Sequence, residues 1–304
     1  MADVTAFNVG GTAYSMQDAT ARSTATAAST SAEYNRQELN GVYAGQNLAT
    51  LLAGEIASGK TVYDALHARV KAANFAGLRV GDYMDVTLVS ASAVTTAQSV
   101  RFLLAHIDPY YQCGDTVMGH HLAFVASAPI AVASTVEGVQ NTSYLQWNTT
   151  ATNNGTADQP NPYLASNLKA WEELFLATLP QALQDVLLNP RFLLETRYSA
   201  SGALTESASW AWASAGKVFS LSEKEIWGCH EWSQPGYGGG IDRQWDIFKH
   251  GKNMMLNGSR ISWWSRSVVS GSSSDVCFVS LGGFAGCASA TYGWVRPRPG
   301  FLLG

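Results

Sequence analysis

The chain has 304 residues, of which only 14% are charged, and its formal net charge is −4. Neutralising nucleic-acid phosphates needs a basic patch, so this balance argues against a nucleic-acid binder. The sequence contains no run of about 18 apolar residues, and its start lacks the basic and apolar stretches of a signal peptide, so we expect neither membrane insertion nor secretion by that route. The length allows one large domain or two unequal ones, and we predict two.

Residues 1–75 are predicted to form an attachment and helical assembly segment. The stretch from Tyr14 to Glu38 is rich in Ala, Ser, Thr and Gln, and few of these side chains can fill the core of a monomer. We therefore predict a thin helix that packs on copies of itself, with a flexible polar leader as the alternative. Between residues 47 and 73, the apolar spacing predicts two short helices that are separated at Ser58-Gly59.

The segment Gly54–Thr61 matches the phosphate-loop pattern G-x-x-x-x-G-K-[ST], with Lys60 as its lysine. A phosphate loop follows a buried β-strand and leads into a helix, whereas the residues before Gly54 have a helical pattern. A parallel α/β sheet would also need repeated β-α units, and the downstream sequence is rich in loops and tryptophan. We favour a plain turn between helices, and a nucleotide-binding enzyme remains the less favoured alternative.

Residues 76–304 are predicted to form a second, larger domain. Leu78–Val89 and Ser99–Asp108 have strand patterns and predict the start of an antiparallel sheet. Ser166–Leu188 is predicted to form one long helix that Pro180 bends or interrupts. Ser222 and Glu225 have capping-box spacing, which predicts a short helix that ends at Gly228.

The histidines and cysteines do not predict a metal or cofactor site. His120 and His121 are adjacent, and adjacent side chains on a strand point to opposite faces. The four cysteines are widely spaced and include no C-x-x-C pair, so we predict free thiols in a protein assembled in a reducing cytoplasm. Pairing of Cys277 with Cys287 stays open, because it depends on whether their strands are neighbours. We expect no cofactor and no metal.

The C-terminal sequence carries the motif Trp263-Trp264-x-Arg266-Ser267, and later Gly293, Val295-Arg296-Pro297 and Phe301. The order of these features resembles a C-type-lectin-like domain of unknown function that is frequent in phages and prophages. Residues 218–228 resemble the strand and helix that precede this core, and residues 73–83 resemble the leading parts of phage fibre and baseplate proteins. The chain departs from the pattern at Arg298-Pro299-Gly300, which leaves the length of the last strand open.

This resemblance implies an α+β fold in which the helical segment 1–75 precedes a C-type-lectin-like domain, residues 76–304, with short antiparallel strands and one long helix. The implied function is non-enzymatic: a phage virion protein, assembled in the bacterial cytoplasm, that binds a glycan or protein on the host surface. We expect self-association, with a homotrimer as the first choice by analogy with fibres, and attachment to other virion proteins through the N-terminus. The alternative is an architectural capsid or tail protein without receptor binding.

A recognition surface needs adaptable polar side chains beside aromatic anchors. Two adjacent tryptophans on a strand face opposite ways, so one of them is expected near the surface and an arginine can stack on it. The candidate ligand-binding residues are Trp264, Arg266, Ser270, Ser272, Ser274, Asp275, Phe278, Phe284 and Tyr292. Trp263, Trp264, Trp294 and Phe301 are favoured as core residues, so Trp264 is both a core prediction and a candidate ligand-binding residue.

Overall fold

A computed structural model describes residues 6–10, 12–15, 19–39, 42–235, 244–249 and 260–304. The chain divides into two compact units, Met1–Ala44 and Gly45–Gly304. None of the described helices combines the length and apolar composition that a membrane-spanning helix needs.

The first unit contains a β-hairpin and a helix. Strands β1 (Ala6–Val9) and β2 (Thr12–Ser15) pair antiparallel, and Gly10 in the turn has a φ of 58°. Such a left-handed conformation is open to glycine because it has no Cβ. The helix α1 (Ala19–Leu39) has 21 residues, and its described side chains between residues 23 and 37 are mostly exposed. A helix of this length that buries little apolar surface is marginal by itself.

The second unit contains five short helices and eleven strands among its described residues. The helices are α2 Leu48–Leu51, α3 Val62–Lys71, α4 Asn167–Leu176, α5 Gln181–Gln184 and α6 Glu223–Trp227. The strands are β3 Tyr83–Thr87, β4 Ser99–Ile107, β5 Leu122–Ala126, β6 Val139–Gln140, β7 Tyr144–Leu145, β8 Arg191–Thr196, β9 Ser209–Ser214, β10 Trp263–Val268, β11 Asp275–Val279, β12 Ala285–Ser289 and β13 Gly300–Leu303.

A four-stranded antiparallel sheet in the order β13-β5-β4-β3 forms the centre of this unit. All five residues of β5 are buried, which is why that strand is a continuous apolar run rather than an alternating one. On β13, Phe301 packs against Phe102 and Phe124 at ring-centroid distances of 4.7 and 5.5 Å. The last strand of the chain therefore closes the core beside a strand from its first half.

Three smaller antiparallel sheets surround this centre. The strands β10, β11 and β12 form a three-stranded sheet, while β6 pairs with β7 and β8 pairs with β9. A parallel bridge between Trp263 and Arg296 joins the three-stranded sheet to the segment that leads into β13. Helices α3 and α4 contribute buried side chains, Leu66 and Trp171 among them, to the core that the central sheet also lines.

The predicted fold class, an α+β protein with one long helix in a C-type-lectin-like domain, is wrong. Four antiparallel sheets build the second unit, and only about 21% of the residues are helical. No helix in the described part of that unit is longer than 10 residues. The predicted helix Ser166–Leu188 is two helices, α4 and α5, because Pro180 takes an extended conformation with a ψ of 139° between them and lacks the amide hydrogen that a continuous helix needs.

Other local predictions are confirmed. The strands β3 and β4 pair antiparallel as expected. The sequence from Arg191 to Tyr198 is also strand-like, and β8 begins at Arg191. Ser222 and Glu225 form both hydrogen bonds of a capping box at the start of α6, and Gly228 ends the helix with a φ of 80°. The helix start and the helix end were readable because each depends on neighbours within four residues in the chain.

The division between the compact units lies well before residue 75, where the sequence placed its boundary. Leu48 and Leu66, on helices α2 and α3, are fully buried in the core of the second unit. The role of residues 1–75 in attachment and assembly stays a prediction.

Candidate functional site

The two adjacent tryptophans of β10 are both buried. Trp263 stacks on Phe248, and the guanidinium of Arg298 lies 4.8 Å from its ring centroid. Trp264 points to the other face, where it meets Phe278 edge-on and its indole nitrogen donates to the Leu145 carbonyl at 2.6 Å. Both faces of this strand are therefore covered. Trp264 lies in the core, as the sequence favoured, and not at the surface, where its place among the candidate ligand-binding residues would put it.

Arg266 is also buried and belongs to an internal polar network. Its guanidinium pairs with the Glu225 carboxylate at 2.6 and 2.9 Å and donates to the Ser220 carbonyl. Tyr110 donates its hydroxyl to Glu225 and accepts a hydrogen bond from the Trp245 indole. Arg266 thus ties β10 to the start of α6, and it does not offer its charge to a ligand at the surface.

The predicted recognition loop, residues 270–275, is held by buried side chains. Asn153, fully buried, donates its amide to the carbonyls of Ser272 and Asp275 at 2.9 and 2.6 Å. Arg197, also fully buried, donates to the carbonyls of Val269 and Ser272. The Ser272 hydroxyl accepts from the amides of the two residues Ser274 and Asp275. The candidate side chains Ser270, Ser272, Ser274 and Asp275 are half-buried. The carbonyls of Ser272, Ser274 and Asp275 have hydrogen-bond donors.

The remaining three candidates lie at different places on the β11–β12 hairpin. Phe284 is 67% exposed in the turn between the two strands. Tyr292 is 43% exposed and follows β12, so it lies at the opposite end, near the 270–275 loop. At about 3.3 Å per residue, the two ends are about 13 Å apart. Phe278 is half-buried between them, and its ring lies across Gly286, where a Cβ atom would come within 2.8 Å.

Sequence reasoning missed Trp294 and its ring partner Tyr144. Trp294, predicted to be core, is 55% exposed and packs against Tyr144 at 5.5 Å. Phe278 and Tyr292 form a second ring pair at 6.4 Å. We call Tyr144, Phe278, Tyr292 and Trp294 the aromatic surface. The glycine at position 293, directly before Trp294 and within a turn, was the available signal that this tryptophan lies outside a strand.

The aromatic surface has polar neighbours. Asn141 donates its side-chain amide to the Gly293 carbonyl, which fixes the turn that carries Trp294. The Arg296 guanidinium lies 4.7 Å from the Tyr144 ring centroid and donates to the Ser143 hydroxyl at 2.6 Å. Flat exposed rings beside amide and guanidinium groups can stack on a ligand and also direct its hydrogen bonds. This arrangement suits recognition and contains no nucleophile with a bonded base.

Within the described ranges, no group of three or more His, Cys, Asp or Glu side chains is arranged to hold a metal ion. His120 instead bonds the Asp108 carboxylate at 2.6 Å, while His121 is fully buried. All four cysteines are free thiols. Cys277 and Cys287 do face each other across β11 and β12, and burial raises the pKa of the Cys277 thiol well above its usual range, which makes that thiol a poor nucleophile.

The phosphate-loop pattern lies between two helices. The residues before it form α2 and a turn, and Gly59 has a φ of 74°. Thr61 caps α3 through a capping box with Asp64, and Lys60 lies 3.6 Å from the same carboxylate. The hydroxyl and ammonium groups that would bind magnesium and phosphate therefore serve the start of a helix.

Comparisons with known proteins give a family without an assigned activity. No curated protein and no solved structure matches the chain. The model of one family, described as Domain of unknown function (DUF6273), matches residues 139–303, which begin with β6 and end in β13. This match covers more than half of the chain and includes the aromatic surface, so the chain belongs to the DUF6273 family.

Proposed function

We propose that this chain is a non-enzymatic phage virion protein that binds a ligand on the host surface through the aromatic surface. The observation that carries the proposal is the exposure of Tyr292 and Trp294 on a turn fixed by hydrogen bonds. Exposing apolar rings to water costs free energy, and burying the rings against a binding partner offsets that cost. The phage origin is supported by the resemblance of the tryptophan-arginine motifs.

The buried framework supports the same function. Arg266, Arg298 and Arg296 each contact an aromatic ring, at centroid distances of 4.6 to 5.6 Å. Two of them, Arg266 and Arg298, are buried, so their role is to hold strands together. A binding surface loses less entropy on association when its rings are already positioned by such a scaffold.

The first unit supports self-association. Its helix α1 exposes most of its described side chains, many of which are Ala, Ser or Thr. Small side chains let helices approach closely, so copies of α1 can bury each other where a single copy cannot. We propose that α1 joins copies of the chain, with a trimer as the expected assembly and virion proteins as its attachment partners.

Cell binding tests the proposed function. Fluorescently labelled protein is incubated with a panel of bacterial strains, beside the variant Tyr292→Ala/Trp294→Ala. The control variant Val117→Ala/Leu174→Ala removes two exposed apolar side chains that lie outside the aromatic surface. We expect the cell-bound signal of the first variant to be lower by about tenfold or more, because aromatic side chains that become buried in an interface contribute much of the binding energy. The control should match the unaltered chain.

Circular dichroism must show that both variants are folded. Equal staining by both variants would contradict the role of the aromatic surface. Absence of staining on every strain, including one from which intact particles adsorb, would favour an architectural protein without receptor binding.

A further inference from the structure

Two cysteines lie directly opposite each other on the hairpin of β11 and β12. The ladder pairs Cys277 with Cys287, and both are free thiols. Side chains of directly opposite residues lie on the same face of a sheet, and adjacent residues of a strand point to opposite faces. Both thiols therefore share the face that is turned away from Phe278, and the proposed function does not use them.

The hydrogen bonds of the hairpin show which kind of pair the two cysteines form. At the loop end of the hairpin, the Ser280 amide donates to the Phe284 carbonyl at 2.9 Å. In an antiparallel ladder, hydrogen-bonded pairs alternate with pairs that exchange no hydrogen bonds. Cys277 precedes Ser280 by an odd number of residues, so Cys277 and Cys287 form a non-hydrogen-bonded pair. The Cα atoms of such a pair are about 4.5 Å apart, within the range of about 4.4–6.8 Å that a disulfide spans.

Strand β10 does not pair regularly with β11 at Cys277. The register shifts between Trp264 and Val268, and there the Ser265 hydroxyl donates to the Cys277 carbonyl at 3.0 Å. An irregularity of this kind lets a strand bend and twist more strongly than a regular ladder does. Cys277 can therefore move towards Cys287 without breaking a regular ladder on its other side.

The two thiols differ in exposure. Cys277 is fully buried, whereas Cys287 is half-buried and can be reached from solvent. Burial is the main cause that raises the pKa of each thiol, and the Glu223 charge adds to it. The Glu223 carboxylate also accepts from the Ser233 amide and hydroxyl at 2.8 and 2.7 Å, so it keeps hydrogen-bond donors when the Cys277 proton is lost.

We propose that Cys277 and Cys287 form a reversible disulfide that joins β11 to β12 when the protein meets a small disulfide oxidant such as glutathione disulfide. Cys287 loses its proton to water, and its thiolate attacks one sulfur of the oxidant, which forms a mixed disulfide and releases one glutathione thiolate. Cys277 then loses its proton, and its sulfur attacks the Cys287 sulfur, which releases the second glutathione thiolate. The two cysteines give up two electrons and two protons, and two molecules of glutathione carry them away.

The order of the steps follows from the positions of the thiols. Cys277 is a poor nucleophile towards a dissolved oxidant, because it is buried and its pKa is raised. In the second step its target is the sulfur of the directly opposite residue, so no dissolved molecule has to reach it. A reducing cytoplasm keeps both thiols free, and the disulfide forms in an oxidising compartment. This inference does not depend on the proposed function of the aromatic surface.

Mass spectrometry of the full chain tests the disulfide. The reduced, folded protein is incubated with glutathione disulfide, the remaining thiols are blocked, and the chain is then denatured and digested. Residues 267–295 contain no Lys or Arg, and the next two arginines precede prolines, so trypsin leaves both cysteines in one peptide. Chymotrypsin cleaves after Phe278 and Phe284, which separates the cysteines. We expect chymotryptic peptides that are linked through Cys277 and Cys287 and that separate when dithiothreitol is added.

Single-cysteine variants test the order of attack. They are made in a Cys113→Ser/Cys229→Ser background, which should form the disulfide as the unaltered chain does. Cys277→Ser keeps a hydroxyl that can donate to Glu223, and its reaction should stop at the mixed disulfide of Cys287 with glutathione. Cys287→Ser should stay unmodified, because the remaining thiol is buried. Circular dichroism verifies that each variant is folded.

Hydrogen exchange measures the effect of the disulfide on the hairpin. The joined strands cannot separate, so oxidation should slow the exchange of the backbone amides in β11 and β12 about tenfold, and dithiothreitol should restore the faster exchange. Absence of the linked peptides, linkage of either cysteine to Cys113 or Cys229 instead, or unchanged exchange after complete oxidation would overturn the proposal. Modification of Cys277 in Cys287→Ser as fast as that of Cys287 in Cys277→Ser would overturn the proposed order of attack.

Discussion

At the scale of single residues, the buried pair Arg266–Glu225 joins strand β10 to the start of helix α6. Both side chains are almost completely buried, and each has a second partner, Ser220 for the arginine and Tyr110 for the carboxylate. Such a pair contributes little relative to an apolar replacement of both residues, whereas removing one partner leaves a buried charge.

We expect Arg266→Met to lower the free energy of unfolding by about 3–5 kcal/mol, because the Glu225 carboxylate would stay buried without its cation. The midpoint of urea unfolding measures this change. Arg101→Met is the matched control: its pair with Asp85 is exposed on both sides, so its loss should cost less than about 1 kcal/mol. Equal losses in the two variants would contradict the structural role of the buried pair.

The buried histidine His121 makes stability depend on pH. Its burial lowers its pKa, and its Nε2 accepts from the Tyr110 amide while Nδ1 bonds the Gly119 carbonyl. The unfolded state therefore takes up a proton near the ordinary pKa of about 6.5, before the folded state does. Stability is fully present above that pH and falls as the pH drops through the lowered folded pKa.

His121→Gln should reduce this acid dependence, since an amide can replace both hydrogen bonds and does not titrate. Urea unfolding at several pH values between about 7 and 5 measures the slope. His230→Gln, at a half-buried position, provides a control with a smaller expected effect. An unchanged slope in His121→Gln would show that other groups set the acid dependence.

At the scale of elements, the 270–275 loop differs most from its sequence-based interpretation. Its serines and glycine predicted an adaptable recognition loop, but Asn153 and Arg197 reach it from far away in the chain and bind its carbonyls. A buried carbonyl without a hydrogen-bond partner costs free energy, so these two side chains stabilise this conformation of the loop.

We expect Asn153→Ala to destabilise the protein by about 1–3 kcal/mol, because it removes the two hydrogen bonds from Asn153 to the carbonyls of Ser272 and Asp275, each of which contributes about 0.5–1.5 kcal/mol. Faster hydrogen exchange at residues 270–276 should accompany that loss. Asn148→Ala, which removes a 3.4 Å bond to the Thr152 carbonyl and an exposed bond from the Thr149 amide, should change both quantities much less. Equal exchange rates in the two variants would mean that Arg197 alone holds the loop.

At the scale of the whole molecule, the family model and the second compact unit have different boundaries. The family model matches residues 139–303, whereas the unit is Gly45–Gly304. The family match begins at residue 139, yet its last strand, β13, pairs with β5, which lies before that point. Residues 45–138 therefore supply part of the core that the family region needs. The first unit, in contrast, contributes no residue to the main core cluster among the described residues.

A chain that lacks residues 1–44 should keep a cooperative thermal transition with a Tm within a few degrees of the full chain, because the core cluster begins at Leu48. Sedimentation should show a smaller assembly, since α1 is then absent. An unchanged mass would contradict the proposed role of α1 in self-association. Loss of the cooperative transition would instead show that the second unit needs the first.

The sequence alone determined the local features: the capping box at Ser222, the helix break at Pro180, the turn at Gly59 and the strands β3, β4 and β8. Each follows from residues that are close in the chain. Only the tertiary structure decided which tryptophans are buried and which charges are paired, because contacts such as Trp264 to Leu145 and Arg266 to Glu225 join residues 119 and 41 positions apart. The burial of a side chain depends on which distant segment of the chain covers that face of its strand, and the local sequence pattern does not specify that segment.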